Sequence, residues 1–350
     1  MEESRLPFPY EYQELTLEEN QEVARSMNSL NVDYVRVGPK GYVVGRGFHR
    51  DAENIYNIPL RSDDIFVTSY QRSGTTWSQE LVWLLVNNLD YAAAAAAPLS
   101  RRYYFLEFFM FFNEKWRGVF EKELKDKTYK EEALEILEDI CNPVTDALAA
   151  APAPRFIKSH LPLSLLPPPL LDTAKMVYVA RDPRDVAVSY YHQSRLFDVI
   201  YGFVGTFKDY WNLFIKDLIL LTPYFAHVKE AWEKRRHPNM LFLFYEELSK
   251  DLPAAVVRVA EFLGKDLTTE ELDRLCDHLS IENFKQNKSV NYEALKEYGF
   301  TSSDEAFIRK GKVSGWRDYF DEEMSLQAER WMEDNLRDTD LRFPHLDNKK

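Results

Sequence analysis

The stretch DIFVTSYQRSGTTWSQELVWLL, residues 64–85, decides the fold. A β-branched and aromatic run ends at Tyr70, a tight turn follows, and an amphipathic run begins. Trp77, Leu81, Leu84, Leu85 and Leu89 recur on one helical face. The pattern is strand, turn, helix. It sets the backbone N–H groups of residues 73 to 77 at a helix N-terminus, where free donors and a partial positive charge suit a phosphate or sulfate. Gly74 lets the backbone approach the anion closely. Thr75 and Thr76 add hydroxyl donors, and Arg72 adds a cation. The loop is P-loop-like but not a Walker loop, which needs two glycines and a Lys directly before Ser/Thr. One glycine is present and the nearest cation precedes it, which counts against a nucleotide kinase or NTP-driven switch.

Working outward, the same theme recurs. RFIKSHLP (155–162) reads as a second short strand with Pro after it, and KMVYVARDP (175–183) as a third, nearly all apolar, followed by the helical RDVAVSYYHQSRLF. NMLFLFYEEL (239–248) is a fourth, followed by PAAVVRVAEFLG, with Pro at its start and Gly264 at its end. Apolar strands alternating with amphipathic helices predict an α/β fold: a central parallel sheet with helices on both faces. No linker divides the chain, so residues 1–350 read as a single domain. YVRVGPKGYVVGRGF (34–48) reads as a hairpin, and Thr16 with Glu19 as a capping box. The alanine-rich stretches at 92–97 and 147–154 read as loops without chemistry. Residues 285–311 are polar and irregular and read as a mobile lid.

The net charge of −13 argues against nucleic acid or an anionic membrane as partner, while allowing one small basic pocket. Two cysteines, Cys141 and Cys276, form neither a disulfide framework nor a metal cluster. The acidic start MEESRLPFPYEY has no apolar core of a signal peptide, and no uninterrupted apolar window is long enough for a membrane span. A cytoplasmic setting fits.

Three further segments carry candidate chemistry. In ARDPRDVAVSYYH (180–192), Arg181 leaves a strand and Ser189 lies in the following helix, so fork and hydroxyl can reach one phosphate. In FIKSHLP (156–162), His160 ends a strand with Lys158 two residues before it. A histidine there can act as a general base, and the neighbouring ammonium would depress its pKa. In FIRKGKVSGW (307–316), Arg309, Lys310 and Gly311 form a compact basic tripeptide suited to a second phosphate. Read singly, each has an ordinary structural explanation; together and in this order they are specific.

In YQRSGTTW, KSHLP, RDPRDVAVSYYH, FYEEL and RKGKVSGW, the chain resembles the cytosolic sulfotransferases, from about residue 40 to 340. LPFPYEY and KGKVSGWRDYFDEEM bring it nearer to the insect branch that includes retinol dehydratase. The resemblance implies 3′-phosphoadenosine 5′-phosphosulfate (PAPS) as donor and adenosine 3′,5′-bisphosphate (PAP) as product. It implies that Arg72, Ser73, Gly74, Thr75 and Thr76 hold the 5′-phosphosulfate, with Trp77, Tyr245 and Ile281 about the adenine. Arg181, Ser189, Arg309, Lys310 and Gly311 would hold the 3′-phosphate. His160 would take the proton of the acceptor hydroxyl, with Lys158 and Arg72 steadying developing charge. No metal is implied. The acceptor would be a small apolar molecule bearing a hydroxyl, such as a phenol, flavonoid, steroid or retinoid. Insect relatives can follow sulfation with elimination. The aromatic run YYFLEFFMFF (103–112) supplies Phe105, Phe108 and Phe109 to the expected acceptor pocket, with Phe197 and Tyr201 beyond the third helix. Three positions depart from the family. Gln71-Arg72 replaces Pro-Lys, Leu279 and Ile281 stand where Thr and Phe are common, and RDYFDEEMS (317–325) lacks the centre of the usual dimer motif.

Overall fold

The computed structural model describes residues 5–28, 33–112, 114–301, 305–309 and 311–344. Among the described residues, eight strands form two sheets. β1 (Gln13–Glu14), β2 (Tyr34–Val37) and β3 (Tyr42–Gly45) make a small antiparallel sheet. The hairpin read from the sequence is β2–β3, with Tyr34 opposite Gly45 and Val37 opposite Tyr42. β1, two exposed residues, carries no alternation and was not foreseen.

β4 (Ile65–Ser69), β5 (Tyr104–Phe105), β6 (Phe156–Ser159), β7 (Lys175–Ala180) and β8 (Met240–Phe244) build the central sheet in the order β5-β6-β4-β7-β8, parallel throughout. Its strands are apolar on both sides because both sides are covered. Phe66, Ile157, Tyr178 and Phe242 point into one core with Tyr190, Trp211, Phe214 and Tyr224. These come from the helices α1 (Pro183–Leu196), α2 (Phe207–Ile215) and α3 (Tyr224–Glu233). Ile65, Val67, Val177 and Leu243 point into the other, against Leu81, Leu84, Leu85, Val256 and Leu275. Those belong to α4 (Thr75–Val86), α5 (Leu252–Leu263) and α6 (Thr269–His278). A third cluster joins α7 (Lys130–Cys141) to Phe112, Phe120 and Phe300.

Three expectations change. The first alanine-rich stretch is helical over Tyr91–Ala96, because alanine is the best helix former and Asp90 caps it by accepting from Ala93 N at 2.9 Å. The second is helical over Thr145–Ala150. The 285–311 segment is not wholly irregular: Glu293–Glu297 is a short helix, and Tyr292, Leu295, Phe300 and Phe307 line the cavity below. Among the described residues, no helix is long and apolar enough to cross a membrane.

Candidate active site

The carboxyl ends of β4, β6, β7 and β8 converge on one cavity of about 700 Å³. The anion loop forms one wall. Gly74 caps α4 with φ 107°, a conformation that other residues rarely adopt. A Cβ there would come within 2.8 Å of the Tyr245 ring, so the glycine is needed for space as well as for φ. Thr75 Oγ1 lies 2.5 Å from Ser69 Oγ. Thr76 and Trp77 line the cavity, and the indole N–H of Trp77 donates to Leu279 O at 2.9 Å. Ser73 is fully buried, outside the lining, and its hydroxyl has no partner.

Cations gather here despite the acidic chain. Arg72 donates from Nε to Ser189 Oγ at 3.0 Å and from Nη2 to Phe307 O at 2.9 Å. Burial, Arg181 and Arg309 lower its pKa to about 10, so it stays charged at neutral pH. Arg181 donates to Arg72 O and Lys312 O, both at 3.2 Å, and stacks 4.1 Å over Tyr245. Its Nε is buried without a partner. Arg309 donates to Tyr319 Oη at 3.0 Å. Gly311 has φ 62°, and a Cβ there would meet Ile281 Cγ1 at 2.6 Å. Asp185 holds this strand of chain to α1, accepting from Ser314 N at 2.7 Å and Trp316 N at 2.8 Å. Lys310 lies outside the described residues.

His160 sits between these cations and an aromatic wall. It is 6% exposed and lines the cavity. Its Nδ1 is 2.9 Å from Ser69 O, a contact that fixes the proton on Nδ1 and leaves the lone pair on Nε2. Burial first, and then Lys158, push its pKa well below the ordinary 6.5. Lys158 lies 3.9 Å over the Phe105 ring, and burial, assisted by Arg72, lowers its pKa to about 8 against the pull of Glu107.

Glu107 was missed by the sequence reading. It is fully buried, accepts from His160 N, and accepts from Ser159 Oγ at 2.8 Å. Burial raises its pKa to about 7. His227 was also missed; its Nε2 donates to His160 O at 2.8 Å and its Nδ1 meets Tyr178 Oη at 2.8 Å. His160 is therefore gripped at backbone and ring. The available signal for Glu107 was one acid inside a ten-residue aromatic run, which is rarely left unpaired in a core.

Phe105, Phe108, Phe197 and Tyr201 line the cavity, with Phe111 and Tyr292 added. Phe109 does not: it is buried in the core with Arg50 stacked 5.2 Å from its ring. The 3₁₀ turn Phe108–Phe111 has three residues per turn, so Phe108 and Phe111 share a side and Phe109 faces away.

Residues 62–340 match the family of the sulfotransferase domain. Luciferin sulfotransferase of Photinus pyralis is 34% identical, covering 87% of this chain and 80% of that protein. Sulfotransferase 1B1 of Mus musculus is 33% identical, over 87% of this chain and 92% of its own length. The crystal structure of retinol dehydratase with retinol and PAP superposes with a TM-score of 0.92 at 52% identity, covering 97% of this chain and 100% of that one. The same coverage, TM-score and identity hold for retinol dehydratase with androsterone and inactive cofactor PAP.

Proposed function

The chain belongs to the sulfotransferase family, and on that premise we propose that it moves the sulfuryl group of PAPS to a hydroxyl on a small apolar acceptor, with His160 as general base. The observation that carries this reading is the position of His160, in one cavity with both the anion loop and the aromatic wall. PAP in the retinol dehydratase structures supports the nucleotide, and androsterone and retinol there support an apolar hydroxyl acceptor.

The residues present fit the nucleotide. Arg181 Nε is a buried donor without a partner, and Gly74 and Gly311 let the backbone pass close against Tyr245 and Ile281, which line the cavity. The loop 72–76 would hold the 5′ group. Arg181, Ser189, Arg309, Gly311 and Lys310 would hold the 3′-phosphate, and Trp77, Tyr245 and Ile281 would flank the base. The bound nucleotide supplies the sulfuryl group. His160 takes the hydroxyl proton at Nε2, and Lys158 and Arg72 neutralise charge as it develops. The aromatic wall excludes water. We place the chain in the cytoplasm and the 285–311 segment as lid over this cavity.

A second reading, sulfation followed by elimination, is favoured by the 52% identity to retinol dehydratase across nearly the whole chain. Mass spectrometry separates the two. Protein with PAPS and, in turn, a phenol, a flavonoid, androsterone and retinol is expected to yield an acceptor heavier by one sulfuryl group. A retinol product lighter than retinol by one water selects elimination. Unchanged acceptors throughout would sink both readings.

The cradle itself is testable. Gly74→Ala is expected to weaken PAP binding at least ~10-fold and to cost about 1–3 kcal/mol, because it adds φ strain and a clash with Tyr245. Melting curves with and without PAP read both. An unshifted PAP-induced rise in melting temperature would show that the loop does not hold the nucleotide.

A further inference from the structure

Arg309 lines the cavity, and among the described residues no carboxylate pairs with it. Its anchor is Tyr319, whose Oη accepts from Arg309 Nη2 at 3.0 Å. Tyr319 lines the cavity too, its ring edge-on to Phe207 at 5.3 Å. Behind it stands His192, on α1 one turn beyond Ser189. His192 Nε2 lies 2.7 Å from Tyr319 Oη, and its Nδ1 lies 2.6 Å from Glu305 Oε2. Both ring nitrogens are engaged, so turning the ring over would break both contacts. The protons then fall in one order. A carboxylate only accepts, which puts the His192 proton on Nδ1. Burial first, and then Arg309, hold the His192 pKa below 6.5 against the pull of Glu305, so Nε2 keeps its lone pair at neutral pH and accepts from Tyr319 O–H. Tyr319 has one proton, spent there, and its oxygen is left to accept from Arg309. Donation runs from Arg309 to Tyr319 to His192 to Glu305, with no donor facing a donor.

We propose that Tyr319 and His192 are positioning residues for nucleotide selection: through this chain of hydrogen bonds they hold Arg309 ready for the 3′-phosphate, and so set the preference for a 3′,5′-bisphosphate over a 5′-monophosphate. This rests on the reading of the cavity as a PAPS site. An unrestrained arginine loses rotamer freedom when it grips a ligand. One already held at Nη2 loses less, and its remaining N–H groups stay available for phosphate oxygens. A tyrosine suits the task better than an acid. A carboxylate in the place of the Tyr319 hydroxyl would hold the guanidinium but cancel its charge. Here the one carboxylate of the chain, Glu305, meets Arg309 only through two neutral side chains, so the fork is oriented while its charge stays unpaired.

The test compares PAP with adenosine 5′-phosphate, binding each to the full chain by calorimetry. Tyr319→Phe keeps the ring against Phe207 and removes the hydroxyl. It is expected to weaken PAP by on the order of 10-fold and to leave adenosine 5′-phosphate unchanged. His192→Phe, which removes the acceptor behind the hydroxyl, should lower the preference for PAP in the same direction. A merely structural role would weaken both nucleotides together, so an unaltered preference in either variant overturns the proposal. A double-mutant cycle tests the route. Arg309→Met should itself lower the preference, and in that background Tyr319→Phe should weaken PAP no further. A second loss of on the order of 10-fold there would mean that Tyr319 acts without Arg309, and would overturn the positioning role. If Tyr319→Phe does not fold, His192→Phe carries both comparisons. An original protein that binds PAP no tighter than adenosine 5′-phosphate removes the underlying reading and the proposal with it.

Discussion

His160→Ala is expected to lower kcat by about 10²–10⁴, the usual worth of a positioned general base, with PAP binding intact. The argument rests on where the ring is held. Ser69 O fixes Nδ1, Glu107 and His227 fix the backbone on either side of the residue, and burial with Lys158 keeps the imidazole neutral. The sign of the pH dependence follows. A pKa well below 6.5 leaves Nε2 unprotonated through the neutral range, so the acid limb of kcat/KM should lie below pH 6.5. Lys158, lowered to about 8, should set an alkaline limb near that value if its charge is needed. His160→Ala should remove the acid limb and leave the alkaline one. Rates measured between pH 5 and 9 check this. Full activity in the Ala variant would end the role of base, while loss of both activity and PAP binding would make His160 structural. The depressed pKa also bears on folding. The unfolded chain binds the His160 proton near pH 6.5 and the folded chain does not, so stability from this group is present above 6.5 and lost as pH falls below it.

What the sequence made legible divides along a physical line. β4, β7 and β8 carry apolar runs because a parallel sheet covered by helices buries both faces, and such runs are visible without any partner; β6, Phe-Ile-Lys-Ser, is legible as a short strand closed by Pro162. β5 was not visible. Two residues, Tyr104 and Phe105, inside an aromatic run carry no strand period, and the run was read as pocket wall. It is both: it pairs with β6 and presents Phe105 to His160. The same run concealed Phe109, whose direction depends on a 3₁₀ turn rather than on its type. The loop residues and His160 stood out through local chemistry. Their supports did not, because Glu107 meets His160 across 53 residues of sequence and Ser69 meets it across 91. No spacing rule reaches that far.

Arg72 is the position where the chain departs from the lysine usual in its family, and there the expected result is asymmetric. Arg72→Met should lower kcat/KM about 10²–10³, the cost of losing one preorganised donor at developing charge. Arg72→Lys restores the family's residue, yet it should still be slower than the original protein. The arginine is not a lone point charge: its fork reaches Ser189 Oγ and Phe307 O at once, and its plane lies 4.6 Å from the Phe307 ring centroid. Lysine offers one compact ammonium and cannot span those partners. Loss of the Phe307 contact should also loosen the segment that carries Arg309, so the Lys variant is expected to bind PAP more weakly. Folding without nucleotide should not suffer in step, because burial, Arg181 and Arg309 all disfavour the charge on Arg72. A melting temperature maintained without PAP, together with a reduced rise on adding it, would match this account. A Lys variant faster than the original would mean that proton donation to the departing oxygen, which arginine cannot supply at neutral pH, limits the rate, and that the fork is dispensable.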